Sequence, residues 1–486
     1  MPIPQQFRQI AEATWEIPLD YKTGMRVPAR IYATRQLLNE METGVFDQIT
    51  NVATLPGIIA HACCMPDGHW GYGFPIGGTA AVDPDNGVIS PGGIGFDINC
   101  GMRLVRTDLT YAEVRPKLEQ LVDRIAEYVP AGMGRTTGCL KLTKSQFHDL
   151  IEQGAQWCVQ HGYGWPQDLD HTEDHGCMPG ADAAKVSPRA IERGLKQIGT
   201  LGSGNHYLEV QVVKQDNIID QKAADACGVG HPDQVVVMIH CGSRGFGHQI
   251  ASDYLETFLS VMRRKYDLDV PDKQLACAPF QSPEGQSYFA AMAGAVNMAF
   301  ANRQVILHQV RRAFAEIFDK SPEQLGMHQV YDVTHNTAKL ETHRIDGKQQ
   351  QVLIHRKGAT RAFPQGDEHV PSAYRDIGQP VIIGGSMETG SYLLHGIPSG
   401  AETFFTTAHG SGRIMSRRQA KRQFRGTDLK KDMAGRGIYV KASSMSRLAE
   451  EAGGAYKNID EVIAAADKSG ISKPIVRFVP VGNLKG

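Results

Sequence analysis

Five residues of the types that bind transition metals stand beside glycine or asparagine, at turns or at the ends of predicted strands. They are Asp97, Cys100, His206, His240 and His335. Residues three apart on a straight strand face opposite ways, so Asp97 and Cys100 can converge only across a turn. The ends of strands are rigid mounts that face loops, which is where metal ligands and catalytic groups are held best.

This set of ligands predicts a transition-metal site. Imidazole, carboxylate and thiolate together suit zinc, manganese, cobalt or iron. If two ions bind, one sulfur or one carboxylate can bridge them, and paired ions can clamp the attacking and leaving oxygens of a phosphoryl displacement. The five residues alone do not decide between these metals, nor between one ion and two.

A sixth residue, His409, is the candidate nucleophile. It stands between a strand-like run, 406–408, and a glycine turn that ends at Arg413. A neutral imidazole nitrogen can attack an α-phosphate and form a phosphoramidate. We expect residues 414–425 to form a helix whose N-terminal amides point at an anion near His409, and Arg413 to add a bidentate phosphate contact.

Basic and hydroxyl-rich segments surround this histidine in the sequence. Residues 409–441 hold ten Lys or Arg against two Asp. A charge run is often only a solvated face, but this one adjoins the candidate nucleophile and predicts a track for RNA or a triphosphate. The loop 384–392 offers amide and hydroxyl donors to a nucleotide, although ordinary turn chemistry would explain it equally well.

The elements that must position these residues follow from caps and periodicity. Each predicted helix starts at a capping residue: Thr110 with Glu113, Ser187 before Pro188, Ser282 before Pro283, and Ser321 with Gln324. Buried strands are predicted at 206–213, 235–240, 330–335 and 351–355. Because helices and strands alternate irregularly, the pattern favours an α+β or mixed fold.

Composition sets the class of protein. The chain has 486 residues and a formal net charge of −1, so any attraction to nucleic acid must come from a local patch. Its nine cysteines are scattered, which argues against a disulfide framework. No apolar run is long enough to span a bilayer, and the N-terminus lacks a signal pattern. We therefore expect a cytoplasmic protein, and we interpret 165–185 as a surface loop.

Taken together, the motifs resemble one family, the RtcB-type RNA ligases, over nearly the whole chain. The residues that carry the resemblance are 66–73, 95–101, 202–206, 240–245, 332–336, 385–387, 409–413 and the terminal 484–486. Several long motifs in the same order make chance similarity improbable. The resemblance implies an α+β fold of mixed β-sheets surrounded by helices, with a deep central metal and nucleotide cleft, in a single catalytic domain spanning residues 1–486.

The resemblance also implies a reaction. In this family, manganese(II), as two ions, and GTP convert a histidine that matches His409 into a histidine–GMP adduct. The GMP passes to an RNA 3′-phosphate, a 5′-hydroxyl end attacks the activated end, and GMP leaves. A 2′,3′-cyclic phosphate is hydrolysed first. The implied roles are tRNA splicing or RNA repair by a monomer, with an archease-type protein as a candidate activator.

Residue roles are carried over position by position. The family's metal ligands match Asp97, Cys100, His206, His240 and His335. Its nucleotide-contacting positions match Asn205, Glu209, His335, Asn336, Ser386, Met387, Ser391, His409, Gly410, Ser411, Gly412, Tyr456 and Lys485. Glu209 poses a question, because on a strand that starts at His206 its side chain would face the opposite side.

Two alternatives stay open from the sequence. A dinuclear phosphodiesterase or nuclease would use the same Asp, Cys and His set without needing His409. A non-catalytic RNA-binding protein could retain the fold, although a complete ligand set argues against it. In the segment 165–185, His171, His175 and Cys177 raise a second metal site as the less favoured interpretation.

Overall fold

The computed structural model describes residues 3–132 and 140–486, whose strands form two large sheets and two short two-stranded ones. The strands are β1 Arg8–Ala11, β2 Thr14–Ile17, β3 Ala29–Tyr32, β4 Ile58–His69, β5 Ile76–Val82, β6 Val88–Ile89, β7 Gly101–Thr110, β8 Tyr207–Ile218, β9 Gln234–Cys241, β10 Ala278–Pro279, β11 Gln329–Thr334, β12 Asn336–Ile345, β13 Lys348–Lys357, β14 Ala359–Arg361, β15 Pro380–Gly384, β16 Ser391–His395, β17 Thr406–Ala408, β18 Tyr439–Ala442 and β19 Lys473–Lys485.

Helices cover and connect these sheets. They are α1 Arg35–Glu40, α2 Thr43–Val52, α3 Tyr111–Val114, α4 Leu118–Tyr128, α5 Lys144–Gln153, α6 Ala155–Gln160, α7 Pro166–Asp170, α8 Pro188–Leu195, α9 Gln221–Ala226, α10 Arg244–Tyr266, α11 Pro283–Phe318, α12 Arg417–Gln423, α13 Gly426–Gly435, α14 Met445–Glu450 and α15 Ile459–Lys468. This mixture of sheets and helices confirms the predicted α+β class.

The eight-stranded sheet carries most of the site. Its order is β11-β7-β9-β8-β19-β16-β15, with β18 pairing to β19. Its strand β9 is buried along its whole length, which is why its sequence reads as a continuous apolar run. The seven-stranded sheet, in the order β1-β2-β3-β4-β5-β13-β12, carries Asp67 at the end of β4.

Helix α11 is the central helix of the helical side of the molecule. It runs for 36 residues and contacts α4, α5, α6 and α10. Ser282 caps it by accepting from the amide of Gly285, and Pro283 occupies its first turn, as predicted. Its buried face carries Asn297, Asn302 and Arg303, so this helix brings polar groups as well as apolar ones into the interior.

Three predicted helices differ from the observed ones. The segment that begins at Ser321 forms only a turn; Ser321 and Gln324 exchange the cap bonds, but Gly326, at φ 60°, ends the segment one turn later. The helix predicted over 414–425 is only α12, Arg417–Gln423, because Ser416 and Gln419 form a capping box that fixes the start. The cap predicted at Thr110 is present, but Pro116 interrupts the helix with a 3₁₀ turn.

Two further observations concern cysteines and apolar helices. The eight cysteines of the described residues form no disulfide with one another, and Cys139 lies outside those residues. Over 3–132 and 140–486, no helix combines the length and apolar composition needed to cross a bilayer.

Candidate metal and nucleotide site

A tight turn joins Asp97 to Cys100. The Cys100 amide donates to the Asp97 carbonyl at 2.9 Å, and Asn99 adopts a left-handed conformation with φ 50°. Asparagine tolerates this conformation better than most residues. The turn ends where β7 begins, so it delivers a carboxylate and a thiol to one end of the eight-stranded sheet. The expectation of a turn here is confirmed.

The three histidines reach the same place from neighbouring strands. His240 lies in β9, whose register places it opposite Met102 of β7 and Tyr207 of β8. His206 directly precedes β8. The His335 amide, just after β11, donates to the Cys100 carbonyl at 3.0 Å. Because these strands are adjacent, residues remote in sequence meet at one edge.

The ligand atoms fall into two groups that share one sulfur. Asp97, Cys100 and His206 form one group, and Cys100, His240 and His335 form the other; within each, the ligand atoms lie within 4.8 Å of one another. Cys100 Sγ is 3.4 Å from His206 Nε2 and 3.2 Å from His240 Nε2. Two ions bridged by a thiolate would therefore match the geometry, and the five residues remain predicted ligands.

Unsatisfied polar atoms at this site fit bound cations. Asp97 Oδ1 is buried and has no hydrogen-bond partner among the described residues. The Nε2 atoms of His240 and His335 face each other at 3.3 Å. Burial, reinforced by neighbouring positive groups, holds the pKa of both imidazoles well below its usual value, so each keeps a free lone pair. His206 Nδ1 donates to the Leu201 carbonyl at 2.9 Å, which directs Nε2 at the site.

A buried arginine on α11 holds the ligand turn from behind. Arg303 pairs with Asp332 at 2.7 Å and donates to the Asn99 carbonyl at 2.9 Å and the Cys241 carbonyl at 2.8 Å. Both side chains of this pair are fully buried. Asn99 Nδ2 also donates to the Val296 carbonyl of the same helix at 2.6 Å. The turn that carries two predicted ligands is thus fixed to the longest helix.

His409 is held by Asp67, a carboxylate of the motif 66–73 for which the sequence predicted no role. Asp67 Oδ2 accepts from His409 Nδ1 at 2.6 Å and from the backbone amides of His409 and Gly410 at 3.0 and 3.2 Å. Burial alone would raise the pKa of Asp67, but the contacts with His409 outweigh it and hold that pKa below its usual value. With Nδ1 engaged, Nε2 is the nitrogen left to react.

The nucleophile adjoins the metal ligands. The ring centroids of His409 and His335 are 4.7 Å apart. The side chain of Asp67 is fully buried, whereas His409 remains 13% exposed, so the imidazole is both oriented and accessible. This arrangement resembles the general one of a nucleophile beside a partner that fixes its orientation.

A cavity of about 510 Å³ connects these parts. The predicted site residues that line it are Asp97, Cys100, Asn205, His240, His335, Asn336, Ser386, Met387, His409, Gly410, Ser411, Gly412, Tyr456 and Lys485. Three others lie behind the lining: His206, Glu209 and Ser391. Their roles as ligands or contacts remain predictions.

Glu209 lies on the face of β8 that also carries Tyr207 and Gln211. The strand begins at Tyr207, so Glu209 and Tyr207, which lines the cavity, share a face. Gln211 donates to Glu209 Oε2 at 2.6 Å and to Ser391 Oγ at 3.2 Å. Burial raises the pKa of Glu209 to about 7, although Lys485 and Gln211 pull it down. This answers the question of its orientation: the strand starts one residue later than predicted.

A second buried carboxylate organises the nucleotide side. Glu451 contacts Arg413 at 3.5 Å, Arg417 at 3.3 Å and Lys485 at 3.6 Å, and accepts from the Tyr456 hydroxyl. Burial would raise its pKa, but these cations lower it to about 2. Arg413 also donates to the Glu450 carbonyl at 2.7 Å. Arg413 lines the cavity, so its predicted phosphate contact stays a prediction, although its guanidinium already contacts Glu451 and the Glu450 carbonyl.

Several lining or supporting residues received no site role from the sequence. Asp67 lies in the motif 66–73, and its position near the end of a buried strand was the available signal. Lys357 lines the cavity but is buried; its ammonium donates to the carbonyls of Tyr72 and Gly92, and burial lowers its pKa to about 7. Glu451 had no local signal, because its partners come from three separate segments.

The segment 165–185 is not the surface loop that was expected. Asp168, Thr172 and Glu173 are buried. Asp168 pairs with Arg311 at 2.7 Å, and Glu173 pairs with Lys339 at 2.5 Å. Buried ion pairs of this kind anchor a segment because breaking one leaves an uncompensated charge. Within the described residues, His171, His175 and Cys177 form no metal-type cluster.

Comparison with known proteins places these features in context. The family model described as tRNA-splicing ligase RtcB matches residues 48–486. A relative from Thermococcus kodakarensis is 52% identical over 481 residues, covering 99% of this chain and 98% of the relative. One from Archaeoglobus fulgidus is 49% identical, with the same coverage, and one from Methanococcus maripaludis is 50% identical, covering 98% of this chain and 99% of the relative. All three relatives carry the name tRNA-splicing ligase RtcB.

Proposed function

The chain belongs to the RtcB family of tRNA-splicing ligases, and from that premise we propose that it is an RNA ligase of tRNA splicing or RNA repair. The match confirms the resemblance carried by the motifs. The finer proposal is a GTP- and manganese(II)-dependent enzyme that joins an RNA 3′-phosphate or 2′,3′-cyclic phosphate to a 5′-hydroxyl. A cytoplasmic monomer that can work with an archease-type activator is part of the same proposal.

The observation that carries the proposal is the pairing of His409 with Asp67 beside the predicted metal ligands. Asp67 fixes the tautomer in which Nδ1 carries the proton, so Nε2 presents a lone pair toward the cavity. A dinuclear hydrolase would activate water and would not need an oriented imidazole next to its ions. This geometry therefore favours a covalent nucleotidyl carrier over the hydrolase alternative.

The chemistry explains why such a carrier is needed. A phosphate monoester has no good leaving group. In the first step, the bond from His409 Nε2 to the α-phosphorus of GTP forms and the bond to pyrophosphate breaks. An oxygen of the RNA 3′-phosphate then takes the GMP and releases His409. Finally the 5′-hydroxyl attacks the 3′-phosphorus, its proton is lost, and GMP departs.

The protein's contribution to these steps is orientation and charge. Bound divalent ions would neutralise phosphate oxygens at the Asp97, Cys100 and histidine ligands. The side chains of Lys357, Lys485 and Arg417 line the same cavity as basic groups. Lys485 and Arg417 are paired with Glu451, and burial lowers the pKa of Lys357 to about 7. Prearranged charge in a largely buried site costs little reorganisation during the reaction. Tyr207, Ser386 and Met387 give the cavity its apolar and hydroxyl lining.

The deciding experiment is transfer of label from α-labelled GTP to the protein in the presence of manganese. We expect an acid-labile, base-stable adduct that His409→Ala abolishes. His61→Ala is a matched control, since His61 is a buried histidine bonded to the Glu402 carbonyl and outside the cavity lining. Adduct formation by His409→Ala, or the lack of an adduct on the unaltered protein, would refute the proposal that His409 carries the nucleotide.

Joining assays then test the RNA ends. Oligonucleotides ending in a 3′-phosphate, a 2′,3′-cyclic phosphate or a 3′-hydroxyl are offered with a 5′-hydroxyl partner. We expect the first two to be joined and the third to remain unjoined. RNA cleavage without joining would favour the nuclease alternative, and RNA binding without either reaction would favour a non-catalytic protein.

A further inference from the structure

One large aromatic side chain is exposed at the mouth of the cleft. Trp70 is 60% exposed and lines the cavity that contains His409. Among the described residues, the other large hydrophobic side chains with this degree of exposure are aliphatic. Trp15 and Trp157 are buried, and Trp165 lies against Arg311 at 3.5 Å. An indole left open to water at a functional cleft calls for a ligand with an apolar face.

The backbone around this indole is fixed although its ring is open. The Trp70 amide donates to Glu42 Oε2 at 3.1 Å, and Gln48 bonds both the amide and the carbonyl of Gly71, at 3.0 and 2.7 Å. A Cβ at Gly44 would come within 2.0 Å of the indole, so the ring rests directly on the α2 backbone. One side of the ring is therefore supported, and the exposed remainder is presented in a fixed position.

A rim of apolar and basic residues continues from the same cavity. Met415 lines both the cavity and a shallow adjoining depression formed with Ile414, Gln419, Arg422 and Gln423. Ile414 is 42% exposed. Arg417 and Lys421 are paired with Glu451 and Glu450, whereas Arg418 and Arg422 form no ion pair within the described part of the chain. Two cations are thus free to meet an anionic backbone.

We propose that Trp70 is a stacking platform for a base of the single-stranded RNA end that enters the cleft, with Arg418 and Arg422 contacting its phosphates. Single-stranded RNA is recognised by stacking its bases on aromatic side chains and by basic residues along its backbone. The indole that lines the cavity and the unpaired arginines of α12 together meet both requirements. This inference rests on the proposed RNA-ligase function and adds to it a place where RNA is held before joining.

The first test is binding of a short fluorescent single-stranded RNA to the protein without GTP, so that no joining takes place. We expect Trp70→Ala to weaken binding by about tenfold and Trp70→Phe, which keeps a ring, by much less. Ile219→Ala is the matched control, because Ile219 is 54% exposed and outside the cavity lining. The same fractional loss at low and high salt would mark stacking, whereas the loss in the double variant Arg418→Gln/Arg422→Gln should shrink with salt.

The second test uses the tryptophan itself. RNA should quench the intrinsic fluorescence of the protein, and Trp70→Phe should remove that quenching while Trp165→Phe keeps it. Quenching by GTP alone would assign the ring to the nucleotide and overturn the proposal. Unchanged RNA affinity in Trp70→Ala would also overturn the proposal and would favour contact of the indole with a protein partner. Failure of joining with Trp70-dependent RNA binding intact would instead refute the ligase function alone.

Discussion

The two sides of the cleft are built in opposite ways. The metal side takes its predicted ligands from four adjacent strands, β7, β8, β9 and β11, or from the residues that flank them. The proposed RNA-binding rim consists of the seven-residue helix α12, its preceding loop and the exposed Trp70. The first side is fixed by buried bonds and the second is open to water. This difference matches the proposed roles, because catalysis needs a tightly held geometry whereas binding RNA of varied sequence does not.

Buried charge is what stiffens the metal side. Behind the turn between Asp97 and Cys100, Arg303 and Arg103 both pair with Asp332. Arg103 also donates to Gln304, whose amide donates to Asp168. Every member of this chain is buried, so none can relax into solvent without a large desolvation penalty. The ion pairs of α12 are half-exposed at the arginine or lysine and contribute much less rigidity.

The largest expected effects distinguish loss of the metal site from loss of the nucleophile. Cys100→Ala removes the sulfur common to both ligand groups and should abolish both manganese binding at the pair and formation of the protein–GMP adduct. His409→Ala should abolish the adduct while manganese still binds. Metal titration and labelled GTP together measure the two outcomes. Normal guanylylation of Cys100→Ala would refute the metal assignment.

The next effect is a pH dependence at Glu209, which is buried on β8 behind the cavity lining. Burial raises the pKa of Glu209 to about 7 from 4.5, so the folded protein holds this proton more tightly than the unfolded chain. The stability from this group is present below about pH 4.5 and is lost as pH rises through about 7. Relative to Glu209→Gln, the free energy of unfolding should therefore fall between about pH 5 and about pH 8, by at most about 3 kcal/mol.

Urea unfolding at several pH values measures this slope. Glu341 provides a buried control of opposite sign: burial would raise its pKa, but Arg356 outweighs burial and holds that pKa well below its usual value. Its contribution is present throughout the same window, so Glu341→Gln should destabilise the protein without adding a slope. If the free energy of unfolding of the unaltered protein changed with pH by the same amount relative to both variants, Glu209 would not be the source of the pH dependence.

The smallest expected effect tests whether the buried pair of Arg303 and Asp332 supports metal binding by holding the turn 97–100. Arg303→Lys should weaken manganese binding by about tenfold, because lysine cannot span Asp332 and the Asn99 carbonyl together. Arg311→Lys is the matched control on the same helix: Arg311 is buried and bidentate to Asp168, and it does not touch the turn. Both variants should lower the melting temperature, but only Arg303→Lys should change metal affinity. If the two variants bound manganese with equal affinity, Arg303 would contribute only to the stability of the fold.

The sequence predicted the elements that local chemistry controls. Capping at Ser187 and Ser282, the apolar strand of His240 and the turn between Asp97 and Cys100 all follow from short-range rules, and the structure contains each of them. The predictions failed where a distant contact or a nearby alternative cap decided. Asp168 and Glu173 turn an apparent loop into a buried anchor, and Ser416 starts α12 later than expected.

The sequence by itself determined the family, the set of candidate ligands and the candidate nucleophile, because residue types and short motifs carry that information. Only the tertiary structure decided that Asp67 orients His409, that Glu451 gathers three cations, and that Trp70 stands open at the mouth of the cleft. The physical reason is that partner choice and burial depend on residues tens to hundreds of positions apart. Asp67 and His409, which meet across 342 positions, are the clearest case.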